Sequence, residues 1–217
     1  MSAVQERFGT GLLAQAAALA YHLIVVESLL LVTAGPGLAV LVLLDRDPSN
    51  LPLAALCALP AGPALSAALY TLHHRRLDLT DLRPASVFLH GYRLNARGAL
   101  PVWAIWLTVL TLNLAHLGAT GLAGPVLLMG VTLWMLNALV ITSLFEFRTR
   151  DVVRLAAYTL VRTPPVTLAN VCLVIVVLAG ILIFSEAVLA LAGSVLALVL
   201  LANSRKLIAV IRRDFTR

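Results

Sequence analysis

Lysine is almost missing from this chain: Lys206 stands alone against fifteen arginines. Charge of either sign is scarce, at 12% of residues, while 61% are hydrophobic. Soluble domains carry about 25% charged and about 45–50% apolar residues, so this balance excludes a water-soluble fold and makes the bilayer the solvent. Cysteine is rare too. Cys57 and Cys172 lie in separate apolar runs with no C-x-x-C and no Cys/His ligand spacing. That argues against a disulfide framework or zinc site, and both thiols read as small hydrophobes filling space. Also lacking are G-x-S-x-G, H-E-x-x-H, a Walker loop and G-x-G-x-x-G, which leaves no motif for an enzyme or a cofactor. The chain is therefore expected to be non-enzymatic, with neither cofactor nor metal. His74 and Asp78 stand four residues apart after His73, but a zinc site needs at least three protein ligands and no second half-site is evident.

What is present is a series of apolar runs. The 217 residues suit one membrane domain, since a span takes about 20 residues. Six spans are expected: 12–44 with a kink at Pro36, 51–72, 100–117, 125–145, 164–184 and 187–201. The first exceeds what a hydrocarbon core of about 30 Å requires, so its opening turns should lie along the interface or the helix should tilt. That run is also longer than the roughly 7–15 residues of a signal-peptide core, so no cleavable leader is expected. The second span carries Pro60, Gly62 and Pro63 in its middle and needs neighbouring helices to satisfy the freed carbonyls. Ala-Gly-Pro recurs at 34–36, 61–63 and 123–125, a weak echo that duplication or plain composition would each explain.

Two basic joints, 73–98 and 146–163, link the spans. In the first, Thr80 or Asp81 can cap a helix with Pro84 in its first turn. Leu82, Ala85, Leu89, Tyr92, Ala96 and Ala99 then recur at helical spacing, with Arg83, Ser86, His90, Arg93 and Arg97 on another face. In the second, Thr149 or Asp151 can cap, and Arg150, Arg154, Tyr158 and Arg162 follow at steps of four. Both read as interfacial amphipathic helices, at 82–97 and 150–162, with arginines snorkelling to headgroups. The C-terminal NSRKLIAVIRRDFTR is basic and amphipathic as well.

The net charge of +6 sits between apolar spans, so it addresses anionic lipid rather than nucleic acid. With the N-terminus, both joints and the C-terminus on one side, that side holds fifteen of the sixteen basic residues and the other holds Arg46 alone. Alternating spans give this split only when their number is even. The positive-inside rule then puts both termini in the cytoplasm. Trp103 and Trp106 are expected near that interface, where indole is at home.

Glu27 is the one carboxylate deep in a span. A charge at mid-bilayer costs at least about 2.5–3.5 kcal/mol, which makes such a residue a functional candidate. It could relay a proton or cation. It could equally be hydrogen-bonded, tying its helix to a neighbour. His22 lies five residues earlier; Asn113, His116, Asn137 and Asn170 are the other polar side chains within or at the end of spans. Together they could line a solute path, or act as interhelical hydrogen-bond glue.

One set of residues resembles a known family. Gly62-Pro63-Ala64 with Ala67, Ala68, Leu69 and Tyr70, then Phe88, Tyr92, Arg93 and Asn95, then Ser143-Leu144-Phe145 to Arg154-Leu155, are similar to the YesL-like bacterial integral membrane proteins, a domain-of-unknown-function family. The turn DRDPSN and the extra apolar length at Leu38–Leu44 depart from its pattern. The resemblance implies an accessory role beside carbohydrate ABC-type importers in the bacterial plasma membrane, and supplies no catalytic residues. Docking or lipid anchoring would fall to Arg83, Arg93, Arg97, Arg150, Arg154 and Arg162.

Overall fold

A computed structural model of the chain describes residues 12–45, 47–75, 83–116, 121–183 and 191–215. Arg46, Asp78, the expected Thr80/Asp81 cap, Leu82, Ser185 and Glu186 lie outside the described residues, as do the first residues of the expected sixth span. The described part is all α-helix apart from turns and one 3-10 turn at Pro48–Asn50. In chain order the helices are α1 (Leu12–Leu43), α2 (Leu51–Ala58), α3 (Ala61–His73), α4 (Pro84–Ala115), α5 (Ala123–Leu144), α6 (Thr149–Arg162), α7 (Pro164–Ile183), α8 (Gly193–Asn203) and α9 (Arg205–Phe215). Counting α2 and α3 as one, five are long and apolar enough to cross a bilayer, or six if the bent pair α8–α9 counts. The chain is a multi-pass membrane helix bundle.

α3 is its centre. Of thirteen residues, nine are buried, among them Gly62, Ala64, Ser66, Ala67 and Ala68. α1, α4, α5 and α8 pack around it. Within a membrane, lipid tails are as apolar as leucine, so association depends on close approach and small residues supply it. Gly62 shows the constraint: a β-carbon there would collide with the Trp103 ring. Gly91 of α4 likewise lies under the Tyr70 ring of α3, where a β-carbon would come within 2.7 Å. Bulky residues such as Ile24, Val32, Leu168 and Val176 instead face outward toward lipid.

The break expected in the second span is real. α2 ends at Ala58, and α3 begins at Ala61, next to Pro60 and Pro63. Trp103 Nε1 of α4 donates to the Ala58 carbonyl at 3.0 Å, so a neighbouring helix does satisfy a carbonyl at the break. Trp103 is 7% exposed, so its ring is packed among helices. The other indoles also bond between helices, Trp106 to Thr132 Oγ1 and Trp134 to the Val153 carbonyl, each at 3.1 Å.

The first joint differs from its expected form. α4 runs unbroken from Pro84 to Ala115 through Pro101, so the interfacial helix expected at 82–97 and the span expected at 100–117 are one rod. Its 32 residues make it about 48 Å long, against a hydrocarbon core of about 30 Å. Its charge-free part begins at Gly98, so the arginine-bearing Pro84–Arg97 portion is extra to the length one charge-free span needs, and it packs alongside the end of α3. Its buried face meets the expected stripe at Ala99, with Tyr92 and Ala96 half-buried, but otherwise differs. Pro84, Phe88, Gly91, Asn95, Ala99 and Val102 turn inward, while Leu89 is 48% exposed. Packing against α3 and α5 selects the small and polar residues that permit contact.

α6 matches its expected range and buries Val152, Leu155, Ala156 and Thr159 against its neighbours. Its N-cap is Arg148 and not Thr149 or Asp151; Asp151 instead sits in the first turn, where it complements the helix dipole. Ser66 donates to Ser143 Oγ at 2.8 Å, Ser143 donates on to the Leu139 carbonyl at 2.6 Å, and Asn95 Nδ2 donates to the Ser143 carbonyl at 3.2 Å. These three residues lock α3, α4 and α5 together. Cys172 is exposed on the outer surface of α7 and Cys57 is half-buried, both as free thiols, so Cys172 fills no core space.

Candidate functional site

The polar candidates of the spans fall in separate places. Glu27 projects from the middle of α1, and its Oε2 accepts the backbone N–H of Ser194 at 2.6 Å. α8 has eleven residues, about 16 Å at 1.5 Å each, roughly half a hydrocarbon thickness. It thus begins inside the bundle, and Glu27 supplies an acceptor to one of the N–H groups that every helix start leaves open. Gly193 lies beside this contact: a β-carbon there would meet Glu27 Oε1 at an ordinary 3.5 Å and Leu30 Cδ1 at a tighter 3.1 Å. Glu27 Oε1 is buried without a hydrogen-bond partner among the described residues.

His22 is 4% exposed and does not share this site. Its Nδ1 bonds the Ala18 carbonyl at 2.8 Å, so that nitrogen carries the proton. The ring lines a cavity of about 320 Å³ together with His74, Arg75 and Arg83. A second cavity, of about 380 Å³, lies between α3, α8 and α9. Glu27 lines neither.

Asn113 sits near the C-terminal end of α4, where its Nδ2 donates to the Gly124 carbonyl at 3.1 Å. His116 caps that helix end, exposed, with Nδ1 on the Leu112 carbonyl at 2.9 Å. Asn137 belongs to a third group. Asn203 Nδ2 donates to Asn170 Oδ1, Asn170 Nδ2 to Asn137 Oδ1, and Asn137 Nδ2 to Thr159 Oγ1, each at 3.4 Å. Thr159 Oγ1 donates on to the Ala156 carbonyl at 3.0 Å. This relay of amides crosses from α8 through α7 and α5 to α6. Asn203 and Thr159 were not among the expected site residues. A buried asparagine needs partners for both ends of its amide, which is the signal that the end of α8 had to supply one.

The six candidate arginines, Arg83, Arg93, Arg97, Arg150, Arg154 and Arg162, all lie on exposed faces. Arg83 is the N-cap of α4 and Arg93 and Arg97 lie in its first half, while the others occupy the outer side of α6, as their four-residue spacing implied. His73 accepts at Nε2 from Arg212 Nη2 of α9 at 3.0 Å. Guanidinium has no acceptor, so this imidazole is neutral in that contact. Among the described residues no cluster of three His, Cys, Asp or Glu could hold a metal.

No family model matches the chain, and no curated protein or solved structure does so either. The residues behind the YesL-like resemblance can still be placed. Ala64, Ala67, Ala68, Leu69, Phe88 and Asn95 are buried, and Tyr92 stacks on Phe88 with 6.5 Å between ring centres. They build the contact of α3 with α4 and α5, which is a packing role.

Proposed function

We propose that this chain is a non-enzymatic accessory protein of the bacterial plasma membrane. It docks on a solute importer through its arginine-rich end, both termini facing the cytoplasm. The observation that carries this reading is the buttressed first half of α4. Fourteen residues from Pro84 to Arg97 extend about 21 Å past the charge-free span. Phe88, Gly91 and Asn95 hold that portion against the bundle while Arg93 and Arg97 face outward. A buttressed helix fixes the backbone spacing of Arg93 and Arg97, one turn apart, so that both exposed side chains can reach a partner's carboxylates together. The YesL-like resemblance favours an ABC-type carbohydrate permease as that partner.

The contrasting reading is a transport path using Glu27, Asn113, His116 and Asn137. These residues sit in separate places with local hydrogen-bond duties, which favours docking. The test is co-purification of tagged protein from native membranes followed by mass spectrometry. A permease subunit should accompany the wild type and be lost from an Arg93→Ala/Arg97→Ala variant that keeps its helical circular dichroism. Solute flux in proteoliposomes that disappears in Glu27→Gln would overturn the docking reading in favour of conduction.

A further inference from the structure

We infer that the cleft between α3, α8 and α9 binds one anionic phospholipid, its headgroup phosphate held by Arg75 and Arg205 and an acyl chain lying on Leu198, Leu201 and Ile208. The cleft measures about 380 Å³. Arg75, Arg205 and His73 line it together with those three apolar side chains. Arg75 is half-buried, and Nη1 donates to the Leu72 carbonyl at 3.0 Å. Burial, and then the like charge of Arg205, hold its guanidinium below the ordinary arginine range. Two cations are thus brought to one cleft, and the described lining includes no carboxylate. An anion between them would relieve both the desolvation and the repulsion, and guanidinium matches phosphate oxygens in a two-pronged geometry.

The rest of the cleft decides which anion. A free phosphate would use the two arginines and leave the apolar part of the lining unexplained. A lipid uses both, because its phosphate lies directly beside its first methylenes. The position agrees. α8 and α9 meet at Ser204 with a bend of 51°. Beyond it Leu207, Ile208 and Ile211 are buried, while Arg205, Lys206, Arg212 and Arg213 are exposed. α9 thus packs its apolar face on the bundle core and turns its cations outward, which puts the cleft at the arginine-rich end of the bundle. Basic pockets between spans are a recurring mode of lipid headgroup recognition. Arg75 also lines the adjoining cavity, where Arg83 adds a further positive charge. The inference stands without the docking role proposed above.

The experiment uses delipidated, detergent-purified full-length protein, with thermal unfolding followed during titration with phosphatidylglycerol, phosphatidylcholine or inorganic phosphate. Phosphatidylglycerol should raise Tm in a saturable way, and the other two should not. Arg75→Gln/Arg205→Gln should weaken the apparent affinity about tenfold or more, the loss expected for at least one charge-assisted contact. Leu198→Trp, which fills the apolar part of the lining and leaves the cations in place, should abolish the shift, and it carries the test if the double variant does not fold. Equal shifts with phosphatidylcholine would reduce the cleft to a nonspecific apolar surface. An equal shift with inorganic phosphate would make it a soluble-anion site. Either result, or an unchanged response in Leu198→Trp, overturns the assignment.

Discussion

Glu27 Oε2 on α1 and the backbone N–H of Ser194, 167 residues further on, lie 2.6 Å apart. The single carboxylate deep in a span is thereby given a structural duty: it caps the start of a short helix that begins among packed helices, where water cannot serve its open N–H groups. The macrodipole adds to this, because a negative group is favoured at a helix N-terminus. Glu27→Ala should lower stability by about 1–2 kcal/mol, the usual effect of losing an N-cap acceptor. Glu27→Gln keeps an acceptor oxygen and loses only the charge, so it should cost about 0.3–1 kcal/mol. Thermal unfolding in detergent ranks the two, and a Gln variant as unstable as the Ala variant would show that charge rather than the acceptor holds α8.

Asn170 is the middle of the amide relay, donating to Asn137 and accepting from Asn203. Asn170→Ala leaves two neighbours short of a partner inside the bundle. Measured interhelical hydrogen bonds in membranes average about 0.6 kcal/mol each and reach about 1.7, so a loss of about 1–2 kcal/mol is expected. Asn203 is the end of the relay, so Asn203→Ala should cost no more than half as much. Equilibrium unfolding of both variants beside wild type checks the order.

Five spans were legible because a long apolar run has one physical meaning; the sixth counts only if the eleven-residue α8 is joined to α9. The break at Pro60 was legible because proline removes a donor. The union of the first joint with the third span was not. Pro101 after Gly98 resembles a helix start, since proline suits a first turn, and only packing along the whole of α4 shows that the helix passes through it. The buried face of that helix misled for a related reason. Leu89 is the greasier residue, yet in lipid the greasy face is free to look outward, and Gly91 and Asn95 turn inward because contact needs small size and hydrogen bonds. Glu27 was recognisable as exceptional, but its partner is a backbone N–H far along the chain, with no side-chain signature. The Arg75–Arg205 cleft was illegible for the same cause: its walls come from two distant segments.

Gly62 tests the close approach at the centre. A β-carbon would strike Trp103, which also donates to the Ala58 carbonyl. Gly62→Ala should therefore push the indole off its acceptor and cost about 1–3 kcal/mol, the range for overpacking a close-packed site. Gly91→Ala meets the side of the Tyr70 ring instead and should cost less, because Tyr70 gives up no hydrogen bond that holds α2 and α4 together. Tryptophan fluorescence separates the two variants: the emission should shift in Gly62→Ala and stay near wild type in Gly91→Ala.

The orientation follows from where the cations end up. Arg83, Arg93 and Arg97 lie toward one end of α4, and Arg150, Arg154 and Arg162 line α6, which opens directly after α5 ends at Leu144. The turn between α1 and α2 holds Asp45 and Asp47, with Asp47 accepting from the Ser49 N–H at 2.8 Å, and of basic residues only Arg46. Moving arginines across a membrane during insertion is opposed, whereas Asp and Glu weigh little in the bias, so the end rich in arginine should stay in the cytoplasm. Cysteines introduced at Asp47 and at Arg150 in a Cys57→Ala/Cys172→Ala background separate the alternatives. In intact cells an impermeant maleimide should label the Asp47 position and spare the Arg150 position until the membrane is opened. The reverse pattern would turn the bundle over, and with it the docking proposal, since the arginines of α4 and α6 would then face away from every cytoplasmic partner.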